Sequence, residues 1–352
     1  MKKLVKVTAA IICMAAVILT GCGPQTEKKS DPQVGSASEN KQEASTSAKK
    51  ADTIELNVAY MPNYCSLWSV ENAINKGYLE EEGLKVNLVE FQDGPTIIAA
   101  MESGSIDIGF IGQGAHKLCI NGKAKIIALS HISNSDAVIA ANGITKVEEL
   151  KGKKVAYSSG SSSEDILVNS LNKVGMKMND IEAIDMDAAT IVTSMLSGSV
   201  DACATWSPNT IKILEEMQGA VKLTDNMTFS DKTVSLDSWV VIPDYAEKNA
   251  DIILRFTRAL FKAMDYAAND HFEETSKYIA AQTAQDYSVV FAQRSDAKWL
   301  TGKEVSKGAA DGSIDKYYEL QKKQFIESGA VEVDPPVSDY VLFDNMVEAG
   351  DY

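Results

Sequence analysis

The pattern of apolar and polar residues divides the chain into three parts. A basic start, Met1–Lys6, leads into an apolar run from about Val7 to Leu19. From Gly23 to Ala51 small and polar residues dominate, and Val34 is the only branched aliphatic residue. From Asp52 onward, short apolar segments follow one another with the periods of strands and helices. The pattern therefore predicts a leader, a disordered tether, and a folded part of about 300 residues.

Strand-like and helix-like segments alternate in the first section of the folded part. Apolar runs predict strands over 54–60, 84–91, 106–111 and 126–129. Apolar residues at helical spacing predict helices over 66–76 and 95–103, which stop at Gly77 and Gly104. Strands alternating with helices of about ten residues indicate α/β units on a mainly parallel sheet.

The next section repeats this order, with strands predicted over 154–158 and 181–186 and helices over 164–173 and 188–196. The segment Met101–Asp107 is echoed by Met195–Asp201, and in both a glycine ends a helix before a strand begins. The repeat predicts two lobes of like topology. Helical patterns over 246–269, 272–282 and 314–327 would complete one lobe, before a final segment around 340–343.

The apolar run near the N-terminus is too short to span a bilayer and has the form of a secretory signal. It closes on Leu19–Cys22, which resembles the lipobox of bacterial lipoproteins. The resemblance implies a signal peptide over 1–21, diacylation of Cys22, and a tether over 22–51. We expect an extracytoplasmic protein anchored to the cell membrane; an ordinary signal peptide with a chance cysteine is the alternative.

The folded part is strongly acidic. The whole chain carries −15, and the first 51 residues hold eight lysines against four acidic residues, which leaves near −19 for the rest. Such a charge argues against nucleic acid and against adhesion to anionic lipid. The only arginines are Arg255, Arg258 and Arg294, all late in the chain.

Cysteines and histidines do not form a recognisable metal-binding pattern. Three cysteines lie in the folded part, without a CxxC pair, and they are interpreted as small buried hydrophobic residues. These cysteines are Cys65, Cys119 and Cys203. The histidines, His116, His131 and His271, have no ligand spacing either. The sequence therefore predicts neither a metal site nor a cofactor.

Several segments resemble the extracellular solute-binding proteins of ABC importers, in the subgroup that includes nitrate, alkanesulfonate, taurine and thiamine-precursor binders. They run in the family's order and are Gly77–Val86, Ser103–Gly109, Glu149–Ala156, Gly198–Ala202 and Trp206–Pro208. The resemblance implies an α/β, two-lobed periplasmic-binding-protein type II fold with the ligand in the cleft between the lobes. It places lobe 1 at 52–145 plus 238–352 and lobe 2 at 146–237. It also implies an ABC permease as partner, and we expect a monomer.

Ligands of open α/β sheets bind beyond the carboxyl ends of the strands, so the loops after the strands provide the candidate residues. The candidates in the first lobe are Asn63, Tyr64, Trp68, Gln113, Gly114 and His131, with His116 as a further option. Those in the second lobe are Gly160, Ser161, Ser162, Asp187 and Trp206. Ser235, Asp237 and Trp239 lie near the second predicted crossover.

Each of these residues has a structural alternative. Trp68 and Trp239 can equally be core residues, whereas Trp206 ends a strand before a loop and is the better candidate. The serines at 161–163 can serve simply as helix caps. Glu164 and Asp165 place negative charge in that first turn, which disfavours a strong anion there.

The ligand class follows from the residue types in the predicted cleft loops. None of these loops carries an arginine, the residue that suits nitrate or sulfonate oxygens, and aromatic, amide, hydroxyl and aspartate side chains are present instead. This favours a neutral or cationic compound with a flat part, such as a heterocyclic vitamin precursor. A sulfonate, taurine or nitrate ligand is the alternative within the family.

Two other functions use the same fold. One is an enzyme similar to the thiamine-pyrimidine synthases, but their cysteine-rich motif is not found here and the secretory signal argues against it. The other is a ligand-loaded partner of a sensor rather than of a transporter. We therefore expect a binding protein without catalytic activity.

Overall fold

A computed structural model describes residues Thr53–Tyr352. The predicted signal peptide over 1–21, the lipidation site Cys22 and the whole tether over 22–51 lie outside the described residues. Within the described part, no helix has the combined length and apolar character needed to cross a membrane.

The strands are, in chain order, β1 Ile54–Tyr60, β2 Leu84–Glu90, β3 Ile108–Ile111, β4 Lys125–Ser133, β5 Asp136–Ala140, β6 Lys154–Tyr157, β7 Glu182–Asp185, β8 Ala202–Trp206, β9 Val221–Asp225, β10 Leu236–Val241 and β11 Ala297–Trp299. The helices are α1 Tyr64–Asn75, α2 Tyr78–Glu81, α3 Gly94–Glu102, α4 His116–Ile120, α5 Ser162–Lys173, α6 Ala188–Leu196, α7 Asn209–Glu216, α8 Pro243–Lys248, α9 Ala250–Ala268, α10 Phe272–Thr283, α11 Tyr287–Ala292, α12 Gly302–Ala310, α13 Ser313–Glu327 and α14 Phe343–Ala349.

The strands form two sheets. Six strands form the first in the order β11-β4-β10-β3-β1-β2, and five form the second in the order β7-β6-β8-β5-β9. We call the parts of the chain built on these sheets the first and the second lobe. The chain passes from the first to the second between β4 and β5, and returns between β9 and β10.

The expectation of mainly parallel sheets is wrong, because both sheets are mixed. Strands β2, β1 and β3 are parallel in the first sheet, and β7, β6 and β8 are parallel in the second. Strand β10 is antiparallel to both of its neighbours, and so is β5. Each of these two strands arrives from the other lobe. It therefore starts at the cleft, where the parallel strands end, and runs in the opposite direction.

The predicted division after residue 145 also differs from the strand pairing. Strand β5, Asp136–Ala140, pairs with β8 and β9 and so belongs to the second sheet. The reason is that the chain crosses at Asn134 and Ser135, directly after a long strand of the first sheet, without a glycine or proline to mark the change. The return is complete at Leu236, where β10 begins.

Packing of the C-terminal helices completes the first lobe. Helix α9 packs against α1 and β4, and α14 packs against α9, α12 and β4. The single helix predicted over 246–269 is two helices, because the chain breaks at Asn249 with φ −130° and ψ 32°. The glycines of the repeated segment, Gly104 and Gly198, have φ of 79° and 71°, in the left-handed conformation that ends a helix.

Candidate ligand-binding site

A small cavity lies between the two lobes. It has a volume of about 30 Å³, close to the share of one water molecule in the liquid, so the lobes are closed on each other. Its lining residues are Met61, Asn63, Cys65, Gly94, Phe110, Gly112, Ala115, Ser135, Asp136, Ser161, Ser162, Trp206 and Asp237. An opening of about 460 Å³ shares Met61, Asn63 and Trp206 with the cavity and provides a path to solvent.

Asp136 supplies the second lobe's carboxylate to this cavity. It is the first residue of β5 and is 2 % exposed. Its Oδ1 accepts a hydrogen bond from the Ser162 hydroxyl at 2.5 Å, and its Oδ2 accepts one from the Asn226 amide at 3.0 Å. Burial raises the pKa of Asp136 to about 7, with a further contribution from the negative charge of Asp237, and the two hydrogen bonds oppose the shift.

Asp237 supplies the first lobe's carboxylate. It lies opposite His131 on the neighbouring antiparallel strand β4, and its Oδ2 is 3.0 Å from His131 Nε2. Its Oδ1 accepts a hydrogen bond of 3.2 Å from the backbone N–H of Gln113. The carboxylate is therefore held from two sides, by a side chain and by the backbone.

The balance of charge in the cavity is negative. Asp136 and Asp237 line it, and among the described residues that line it there is no lysine or arginine. Lys117 on α4 forms ion pairs with Asp165 at 2.8 Å and Glu164 at 3.7 Å in the second lobe. Such a site attracts a cation and repels an anion.

Aromatic and thioether side chains form the apolar part of the wall. Trp206 ends β8 and lies opposite Asp136 on the antiparallel strand β5, so an indole ring and a carboxylate come from paired positions. Phe110 comes from β3 and Met61 from the loop after β1. An aromatic face beside a carboxylate is an arrangement that binds organic cations.

The serines at the start of α5 line the cavity from the second lobe. Ser161 caps the helix by accepting a hydrogen bond from the backbone N–H of Ser163 at 3.2 Å. The Ser162 hydroxyl donates a hydrogen bond to Asp136. Glu164 accepts a hydrogen bond from the backbone N–H of Gly160 at 2.8 Å. Because acidic groups already occupy this helix start, it is poorly suited to a strong anion.

Direct contacts between the lobes surround the cavity. Gly114 lies so close to the backbone of Ser161 and Ser162 that a Cβ atom at residue 114 would overlap it. On the same side, the Gln324 amide donates a hydrogen bond of 2.8 Å to Asn169. Together with the Lys117 ion pairs, these contacts hold the closed arrangement.

Five of the predicted site residues line the cavity, namely Asn63, Ser161, Ser162, Trp206 and Asp237. Asn63 also caps α1, since its Oδ1 accepts a hydrogen bond from the backbone N–H of Ser66. Gln113, His131 and Gly114 lie around the cavity without lining it. Gln113 and His131 hold Asp237, and Gly114 forms a lobe contact.

The remaining candidates lie elsewhere. Tyr64, Trp68 and Trp239 are fully buried in the core of the first lobe, where the Trp68 indole donates a hydrogen bond to Ser130. Tyr64 and Trp68 both pack against Trp299 there. Asp187 is exposed and caps α6 by accepting a hydrogen bond from the backbone N–H of Thr190.

Sequence reasoning missed Asp136, Cys65 and Phe110, which line the cavity. A signal for Asp136 was present, since it is the one charged residue at the head of an otherwise apolar segment. The fold also brings ligand atoms of Cys65, His131 and Asp237 within 4.8 Å of one another, although the sequence predicted no metal-ligating group.

Comparisons with known proteins agree with this architecture. The model of the family described as NMT1/THI5 like matches residues 70–273. A relative in Brucella abortus (strain 2308), whose name states only a binding role, is 31% identical over 84% of this chain and 92% of its own. The taurine-binding periplasmic protein of Escherichia coli (strain K12) is 27% identical over 63% of this chain and 69% of its own.

Two solved structures share the fold. The periplasmic nitrate-binding protein NrtA of Synechocystis PCC 6803 has a TM-score of 0.70 at 14% identity, over 85% of this chain and 88% of its own. The alkanesulfonate-binding protein SsuA of Xanthomonas axonopodis pv. citri, bound to MOPS, has a TM-score of 0.62 at 21% identity, over 83% of this chain and 99% of its own. The predicted fold class is thereby confirmed. The chain belongs to the NMT1/THI5-like family and is a solute-binding protein.

Proposed function

We propose that this protein captures a small organic cation in the cleft between its lobes and delivers it to an ABC permease. The observation that carries the proposal is the pair of buried carboxylates, Asp136 and Asp237, in a cavity whose described lining residues include no lysine or arginine. A bound ammonium or protonated heterocycle would offset that charge. Its charged end would occupy the small cavity, and its flat part would extend along Trp206 into the adjoining opening of about 460 Å³.

A sulfonate, taurine or nitrate ligand is the second candidate, because relatives bear those names. Its negative charge would approach two carboxylates without a lining cation. At a separation of 4 Å and an effective dielectric constant of 20, each such repulsion amounts to about 4 kcal/mol. The cavity therefore favours the cation over the anion.

Delivery to a permease is supported by the lobe contacts. Closing the lobes brings Lys117 to Asp165 and the Gly114 backbone to Ser161, and these contacts must break when the cleft opens. The closed form thus presents a surface that a permease can distinguish from the open form.

A thermal-shift screen in the presence of EDTA tests the ligand class. Benzylamine, choline and a protonated aminopyrimidine should raise the melting temperature, because a cleft ligand stabilises the folded state by mass action. Hexanesulfonate, taurine and nitrate should give no shift at the same concentrations. Shifts with the anions alone, confirmed by calorimetry, would assign the site to the second candidate.

We also propose that the protein is anchored through lipid on Cys22, in line with its lipobox-like segment Leu19–Cys22. Expressed in a bacterial host with labelled palmitate, the full chain should carry label and sediment with membranes. Cys22→Ala should lose the label and stay unprocessed, whereas Cys13→Ala serves as the control and should behave like the parent. Equal labelling of both variants would contradict the anchor.

A further inference from the structure

Three side chains with different donor atoms converge at the floor of the cleft. Cys65 is in the first turn of α1, His131 is on β4, and Asp237 is opposite it on β10. One ligand atom from each lies within 4.8 Å of the other two, and all three residues are buried. A thiol, an imidazole and a carboxylate are the protein ligands that zinc takes most often.

The surroundings orient this group. The His131 ring nitrogen Nδ1 is 3.0 Å from the Ser130 hydroxyl, which also accepts a hydrogen bond from the Trp68 indole at 2.9 Å. Asp237 accepts a hydrogen bond from the backbone N–H of Gln113 through its Oδ1. A metal-binding histidine commonly has its second nitrogen held in this way, because the contact fixes the ring and its tautomer.

The cavity lies directly over two of the three side chains, Cys65 and Asp237. Three protein ligands leave a tetrahedral ion with one open position, and room for about one water molecule is present there. We propose that Cys65, His131 and Asp237 bind a divalent ion of zinc-like chemistry, whose fourth position faces the cleft.

Charge and ligand type limit the choice of ion. A thiolate, whose proton passes to solvent, and a carboxylate neutralise a divalent cation, with the imidazole neutral. A sulfur and a nitrogen ligand favour Zn²⁺ or Co²⁺ over Mg²⁺ or Ca²⁺, which prefer oxygen. The ion site goes beyond the proposed function: Asp136 is not a ligand, whereas Asp237 belongs to both sites, so the organic cation is tested in EDTA and the ion without an organic ligand.

Titration with Co²⁺ tests the site, because a cobalt–thiolate bond gives a charge-transfer band in the near ultraviolet. The full chain with Cys13→Ser and Cys22→Ser serves as the parent, so that thiols outside the described residues do not contribute. We expect one equivalent of Co²⁺ to give the band and the strong visible bands of a four-coordinate ion. Zn²⁺ should displace it with a matching loss of signal.

Variants of the ligands locate the ion. Cys65→Ser should abolish the charge-transfer band, and His131→Gln should weaken Zn²⁺ binding by about 100-fold or more. Cys203→Ser is the matched control, since Cys203 is equally buried but lies in the second sheet. Circular dichroism and the melting temperature, both measured in EDTA without an organic ligand, check that the variants remain folded.

The outcomes separate the ion site from the organic site. A parent without the charge-transfer band, or a band that survives Cys65→Ser, would overturn the ion site and leave the organic cation untouched. If the parent gives the expected cobalt spectrum but no organic cation changes its melting temperature, the ion site stands and the proposed organic-cation function is refuted.

Discussion

Asp136→Asn is expected to weaken the affinity for the best cation of the screen by at least about 30-fold, which corresponds to 2 kcal/mol or more. Asparagine keeps the shape of the side chain, and its amide can donate to Ser162 while its carbonyl accepts from Asn226. Only the charge is removed. Calorimetry in EDTA measures the change, and the sulfonate probes should gain rather than lose affinity.

The same substitution should stabilise the ligand-free protein at alkaline pH. The folded-state pKa of Asp136, about 7, lies above the ordinary value of 3.8, owing to burial and to the charges of Asp237 and Asp165. The stability that a raised pKa contributes is fully present below pH 3.8 and is lost as the pH rises through 7. At pH 8 the buried carboxylate is charged and costs on the order of 1–4 kcal/mol.

The charge of Asp136 is therefore expected to lower the stability of the ligand-free protein and to raise its affinity for a cation. At pH 8 Asp136→Asn should melt higher than the parent, and the difference should shrink as the pH falls to 5. Cation affinity of the parent should fall with acidification below about 7, and the variant should lack that dependence. Asp187→Asn, an exposed helix cap of the same lobe, is the control and should change neither property. An unchanged affinity in Asp136→Asn would refute a role for this carboxylate in binding.

The order of strands and helices could be predicted because local patterns carry it. Strand β1 and helix α6 have the predicted bounds, and β2 and α5 differ only at their ends. Strand β5 was missed because Ser133–Ser135 looks like an ordinary loop and the apolar run after it is short. Whether such a run pairs in one sheet or another is decided by tertiary contacts, which a local pattern does not contain.

The candidate site, too, could be predicted only in part from local sequence patterns. Residues such as Trp206 were found by the rule that ligands lie beyond the carboxyl ends of strands. Tyr64 was chosen by that rule too, but the rule does not say which way a helix turns its first residue, and this one faces the core. Asp136 was missed because it is at the beginning of its strand. Since β5 enters from the cleft, its first residue and not its last faces the ligand site.

Gly114→Val is expected to weaken cation binding by about 100-fold through the closure of the lobes. A Cβ atom at residue 114 would overlap the carbonyl carbon and oxygen of Ser161 and the nitrogen of Ser162. These are backbone atoms at the start of α5, so they cannot turn aside as a side chain could. A hundredfold loss corresponds to a closed form that is populated to about 1%.

The open form relieves this overlap, because residue 114 and Ser161 belong to different lobes. Gly114→Val should therefore bind weakly without a large fall in melting temperature, and fluorescence transfer between dyes on the two lobes should report a wider separation. Gly302→Ala is the contrasting control. A Cβ atom there would overlap Phe261, which is in the same lobe, so opening brings no relief and the melting temperature should fall. If Gly114→Val bound normally and kept the parent's lobe separation, the contact between the Gly114 and Ser161 backbones would not limit closure.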